Sequence, residues 1–378
     1  MPDAAYLLAQ SLAKFRNANR IDGTRASYRK DNPAEYAKVI AYLDGSTRPT
    51  GVTSEMGVAF LLEEDARRAL GVVEPPPPPP AGDRLWAADS PINAPISASP
   101  QVILGYGQGV FSGLPGVGLN GGGWGVGIFR DASGSRRTLF NGTWYLANVP
   151  KPAQWQAYYD GMAALGDTEK HAVIYDGERV HNVYGGTRDF TRCGAMGELR
   201  AAGSGFWHNP TGPWLGRASG FCSAVGAVLK KELDAGVIEH ALAVGWPKAR
   251  IKGDAGGARP GSFVAPATSS DGSGLDAGLP MGTLLQLDPS LTDAQILGFG
   301  ISAYYLPLAK AMQSYGAYIA DSTSWMTIYA ESWNDAGRIP WTSGWHPGSL
   351  KLVPYLRAVA GPPAPEYDSR LIFNQPHK

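Results

Sequence analysis

"HAVIYDGERVHNVYGG", residues 171–186, sets Asp176-Gly177 between two runs rich in β-branched and aromatic residues. An Asp-Gly pair suits the left-handed two-residue turn that joins antiparallel strands, so the stretch predicts a β-hairpin. Outward from it, short apolar runs alternate with turn residues: "QVILGYG" (101–107), "GWGVGIF" (123–129), "RRTLFNGTWYLANV" (136–149) and "HALAVGW" (240–246). The series continues with "GSFVAPAT" (261–268), "GTLLQLD" (282–288), "GAYIAD" (316–321) and "WMTIYAE" (325–331). The pattern predicts a mainly β domain, an antiparallel β-sandwich or jelly roll. Two helical inserts interrupt it. One is "SAVGAVLKKELDAG" (223–236); the other starts near Pro307, where Leu308, Ala311, Met312 and Tyr315 follow helical spacing up to Gly316.

Ahead of the strands, residues 1–72 read as a small helical module. Tyr6, Leu8, Leu12 and Phe15 fall near helical spacing; "NPAEY" offers Asn32 as cap, Pro33 in the first turn and Glu35 reaching back; a third helix runs from about Ser54 to Gly71. About 70 residues bury little core, so this module is expected to dock on something larger. Residues 73–82 form a linker whose six consecutive prolines, 75–80, favour a stiff polyproline rod of roughly 20 Å at ~3.1 Å per residue. The β domain spans 83–362, and 363–378 are an extended tail.

Composition narrows the function classes. Lys+Arg and Asp+Glu are both 33, so no single-sign field draws in nucleic acid or anionic lipid. With 49 glycines, 30 prolines and only 17% charged residues, the balance favours turns and strands over helical bundles. Eleven tryptophans and 17 tyrosines serve either a binding surface or a wide core. The opening "MPDAAYLLAQSLAKFRNANR" lacks the basic-then-apolar pattern of an export signal, and no run of 18 apolar residues follows, so neither signalled export nor membrane insertion is expected. Cys193 and Cys222 exclude a disulfide framework and leave a single bridge open.

Several motifs fail on context. "GVGLNG" (116–121) fits a dinucleotide fingerprint in spelling, but "GGWGVGIF" after it is strand-like, not helical. Ser219 in "GRASG" has the wrong spacing for a nucleophile elbow. His171, His181, His208, His240, His346 and His377 show no zinc spacing, and Asp271 and Asp276 in "DGSGLD" suit a polar turn better than calcium; no metal or cofactor is expected. His240 reads as an inward-facing core histidine. A glycan-cleaving carboxylate pair could come from Asp176, Asp189, Glu239, Asp254 or Glu331, though each reads better as solvated surface. The candidate ligand site is "GFWHNPTGPWLG" (205–216), a glycine- and proline-marked loop presenting Trp207, His208 and Trp214, with Tyr175, Asp176, His181 and Tyr184 from the hairpin. Its rings would stack on sugar faces, or would staple one end of the sandwich.

"ADSPINAPI" (88–96), "AGVIEHALAV" (235–244), "PATSSDG" (266–272), "GTLLQLDPSL" (282–291) and "YGAYIAD" (315–321), in this order, resemble a β-rich domain of secreted actinobacterial proteins and of minor tail proteins of phages infecting those bacteria. Members often carry a histidine-glycine pair before the helical insert; here "WLGRASG" puts Leu215 and Arg217 there. The resemblance implies a virion protein. Residues 1–72 would dock on other tail proteins, several copies would be carried, and the β domain would bind host cell-wall polysaccharide. A glycan hydrolase or lyase, virion-borne or secreted, and a purely structural tail component are the alternatives.

Overall fold

The structure, a computed structural model, describes residues 34–35, 38–39, 47–53, 85–97, 99–103, 117–206, 216–247, 249, 253–254, 262–272, 278–341, 351–362 and 367. Trp207, His208, Trp214, Asp276, His346, His377, the proline run, nearly all of the 363–378 tail and most of the N-terminal module lie outside them. The chain divides into two compact units, Met1–Pro78 and Pro79–Lys378. In the first, residues 34–35 and 38–39 are helical, and Glu35 accepts hydrogen bonds from the Thr53 amide and hydroxyl (2.9 and 3.1 Å).

The second unit holds sixteen described strands. They are β1 (Val117–Asn120), β2 (Val126–Phe129), β3 (Arg136–Phe140), β4 (Tyr145–Pro150), β5 (His171–Asp176), β6 (Arg179–Tyr184), β7 (Ala195–Arg200) and β8 (Leu242–Trp246). Then follow β9 (Gly253–Asp254), β10 (Ser269–Ser270), β11 (Leu284–Leu287), β12 (Ala317–Ser322), β13 (Met326–Tyr329), β14 (Glu331–Asn334), β15 (Gly337–Arg338) and β16 (Leu356–Val359). One six-stranded sheet has the order β1-β13-β8-β12-β11-β16, the other β15-β14-β2-β5-β6-β7; β3-β4 and β9-β10 are two-stranded ribbons. The 171–186 hairpin forms as its sequence predicts: β5 and β6 pair antiparallel from Ala172↔Val183 to Asp176↔Arg179, with Gly177 at φ +61°.

The molecule is mainly β, yet the expected all-antiparallel pairing is not what forms. β1 with β13, β8 with β12, β2 with β14 and β2 with β5 are parallel, so both large sheets are mixed. Four described helices accompany them: α1 (Trp155–Ala164), α2 (Lys230–Ala235), α3 (Asp293–Gly298) and α4 (Leu306–Ser314). The second predicted insert is α4. The first shrinks to α2, because 223–229 is irregular: Ala224, Val225, Ala227 and Val228 are all buried, and Gly226 sits at φ +66°, outside helical space. His240 is not an inward strand residue either. It precedes β8, half-buried, with Nε2 3.1 Å from Glu232.

Coverage explains the parallel strands. In the second sheet, Val126, Ile128, Val173, Val180 and Leu199 belong to the main core, which also takes Leu242, Val244 and Ile319 from the first sheet. The alternate residues Phe129, Ala172, Ile174, Val183 and Met196 join a second core with Trp155, Tyr158 and Met162 of α1 and with Leu139 and Leu146 of the β3-β4 ribbon. A sheet buried on both faces can carry parallel strands and reads as continuous apolar runs.

Candidate functional site

Three segments remote in sequence are laced together by backbone. Ser219 donates its amide to Ala320 O (3.1 Å) at the irregularity within β12, Thr268 donates to Ser219 O (2.9 Å), and the Ser269 hydroxyl donates to Ala218 O. The lacing gathers Arg217, Asp271 and Asp321. Tyr329 of β13 donates its hydroxyl to Asp321 Oδ2 (3.2 Å) and lies flat beneath the Arg217 guanidinium, whose Cζ is 3.5 Å from the ring centre. Arg217 Nη1 is 3.5 Å from Asp321 Oδ2, while Nε and Nη2, both buried, meet no acceptor among the described residues. A buried cation with unmatched donors is costly to keep and marks this spot as built for more than packing.

From the second sheet, His171 opens β5 beside Val126 of β2. Its Nε2 is 3.1 Å from Glu169 Oε2 and its Nδ1 2.9 Å from Ser223 Oγ. A carboxylate only accepts, so Nε2 carries the proton and the Ser223 hydroxyl donates to Nδ1. Burial, reinforced by Arg217, pushes the His171 pKa down and keeps the ring neutral, while the His171 bond holds the Glu169 carboxyl below its usual range. The order serine–histidine–carboxylate is that of an activated nucleophile, but Ser223 is fully buried, and a Cβ on Gly216 would lie 2.5 Å from its Oγ. Sealed under Gly216, this relay holds Asn182 and the 216–223 segment rather than a substrate; the Ser223 amide donates to Asn182 Oδ1 (2.8 Å).

A pair of carboxyls lies elsewhere in the same cluster. Burial, then the Asp321 charge, pushes the Asp271 carboxyl up to about 7, and burial also raises Asp321. The Asp321 charge disfavours ionisation of Asp271, so Asp271 holds its proton to higher pH than an ordinary carboxyl. Asp271 is only partly desolvated, keeping solvent exposure as a residue, and the Glu169 side chain is 39% exposed, so this recess has a mouth.

The seven residues expected to bind ligand do not all fall here. Tyr184 does, its ring 5.0 Å from His171. Tyr175, Asp176 and His181 sit toward the other end of the hairpin, roughly 10–17 Å along it at ~3.4 Å per residue. Tyr175 donates to Leu85 O (3.0 Å); Asp176 pairs with Arg136 and lies 3.4 Å from the buried His181. Trp207, His208 and Trp214 are outside the described residues; of their described neighbours, Phe206 is bridged to Phe221 and Gly216 packs against Ser223. Exposed tryptophans 124 and 325 were not singled out. Trp124 is held at φ +62° with its amide on Asp167 Oδ2 (3.0 Å), and "GWG" was the available signal.

A separate cleft of about 540 Å³ is lined by β2, α2 and the β14-β15 turn, with Glu331 at 8% exposure among its walls. Cys193 and Cys222 are free and buried in different cores, so the open question of a bridge closes against it. Among the described residues no three His, Cys, Asp or Glu side chains are grouped to hold a metal ion, and no helix is long and apolar enough to cross a membrane. Compared with protein-family models, with curated proteins and with solved structures, the chain matches none.

Proposed function

We propose that the β-rich domain binds host cell-envelope glycan as part of a minor tail protein of an actinobacteria-infecting phage. In this reading the two large sheets are the layers of a sandwich, and residues 1–72 are the anchor on other tail proteins. One observation carries the glycan part: the recess of Asp271, Asp321, Glu169, Arg217 and Tyr184 offers carboxylates and donors to hydroxyls. Trp124, exposed and fixed by Asp167 two residues before Glu169, offers a ring to a sugar face. The phrases behind the phage resemblance support it too. "PATSSDG" and "YGAYIAD" each send a residue to this recess, namely Asp271 and Asp321, while "WLGRASG", where the chain departs from the histidine-glycine pair, sends Arg217.

A second reading, cleavage, is favoured by the Asp271–Asp321 pair, two carboxyls of the kind that glycoside hydrolysis needs. The test is to incubate the full chain with actinobacterial cell-wall polysaccharide, measuring retention on the sedimented walls and release of new reducing ends or unsaturated products. Retention without products supports binding. Products that fall on the order of a hundredfold or more in Asp271→Asn support cleavage. Neither retention nor products would overturn both readings and leave a structural component.

A further inference from the structure

We propose that the 540 Å³ cleft between β2, α2 and the β14-β15 turn is a second binding site, for a saccharide unit carrying an anionic group, carboxylate or phosphate. Its volume is that of a small-ligand pocket, and its apolar lining of Ile128, Leu229 and Ile339 suits the C–H face of a pyranose. Polar groups are placed around that lining. Glu331 is buried, with Oε1 accepting from Asn334 Nδ2 (3.2 Å) and Oε2 from the Lys230 amide (3.3 Å). Both bonds fix the carboxyl at the wall, where it can meet ring hydroxyls.

The anionic preference comes from Arg130. The Lys230 ammonium is taken by Asp234, both oxygens at 2.7 Å. Asp335 is occupied by the amides of Arg130 and Asp131, at 2.7 and 3.1 Å. The Arg130 guanidinium, by contrast, makes no ion pair among the described residues; it stacks on Tyr175, its Cζ 4.9 Å from the ring centre, and Tyr175 is tied in turn to Leu85 O. A guanidinium set over an anchored ring, with its fork unmatched among the described residues, is suited to bidentate capture of a carboxylate or phosphate.

The inference extends the glycan reading to a second place. It is tested by titrating single sugars, so it stands or falls independently of cell-wall retention and product release. The full chain is titrated with methyl glucuronide, glucose 6-phosphate and methyl glucoside, followed by calorimetry or ligand-observed NMR. At least one anionic sugar is expected to bind at about millimolar Kd, with the glucoside about tenfold weaker or more. The tighter of the two anionic arms identifies carboxylate or phosphate. Arg130→Gln should reduce the anionic sugar to the level of the glucoside, and Arg130→Lys, which keeps the charge without the fork, should lie between. Arg130 is exposed, so both variants keep the fold, which a melt verifies. Equal affinity for charged and neutral sugars, unchanged binding in Arg130→Gln, or no saturation by any arm would each overturn it.

Discussion

Asp271 and His181 titrate in opposite senses, and each imposes its own limb on the stability curve. The unfolded chain gives up the Asp271 proton near 3.8, whereas the folded chain holds it up to about 7. Between those values the folded state binds more protons, so stability falls as pH rises through the window. Asp271→Asn has no proton to lose; its melting temperature should match the parent near pH 4 and exceed it at pH 8. His181 is the reverse. Burial lowers its pKa from 6.5 to about 4, so the unfolded chain binds the extra proton and stability is lost as pH falls through that range. His181→Gln should flatten this acid limb, worth on the order of 3 kcal/mol between neutrality and pH 4, read from chemical denaturation at both pH values. The residue types of the recess could be seen in the sequence, but not its membership. Arg217, Asp271 and Asp321 lie some fifty residues apart and meet only through backbone lacing between segments, for which no local spacing is a signal.

Local chemistry decides elements unevenly. The Asp-Gly hairpin was legible because its turn fixes its register within sixteen residues; the strands 242–246, 284–287 and 326–329 lie inside the apolar runs that predicted them, and 317–322 passes the end of its run by one residue. α1 was missed although Trp155, Tyr158 and Met162 fall on one face; Gly161 and the upstream Pro150 and Pro152 blurred the pattern. Gly161 is needed there, since a Cβ would come within 2.6 Å of the Trp333 ring. The 223–229 segment misled in the other direction. Its apolar residues are buried all round against the sheets, a pattern as available to an irregular chain as to a helix. Gly226 shows the difference, because a Cβ at φ +66° would lie 2.4 Å from the Ala243 amide nitrogen, and backbone of β8 cannot step aside. Gly236 has a similar φ of +75° but open space around it. Gly236→Ala should therefore cost only the left-handed penalty, about 1–2 kcal/mol, whereas Gly226→Ala adds a backbone clash and should cost several-fold more or prevent folding. Paired melts of the two variants check this.

At the scale of the molecule, the second sheet divides two hydrophobic cores, and the two cysteines report on them separately. Cys222 lies fully buried in the main core, with its Sγ 3.3 Å from Asn182 Oδ1. Cys193 borders the smaller core under α1, 8% exposed. Burial pushes both thiols up to about 12, so neither reacts as thiolate in the folded chain and labelling reports opening. With no bridge to break, reductant should leave the melting temperature unchanged, and denaturation should release two thiols. Trp155 is the largest piece of the smaller core, packed on Phe190 at 4.5 Å and on Tyr158 at 5.4 Å, its indole N–H donated to Thr187 O (2.9 Å). Trp155→Ala should lower stability by about 3–5 kcal/mol. The cavity it leaves is confined to one face of the sheet, while the face toward the first sheet keeps Val126, Ile128 and Val173 in place. Cys193 labelling should therefore accelerate well beyond that of Cys222 in this variant. Equal acceleration of both thiols would mean that the two cores open as one unit and that the sheet between them is no boundary.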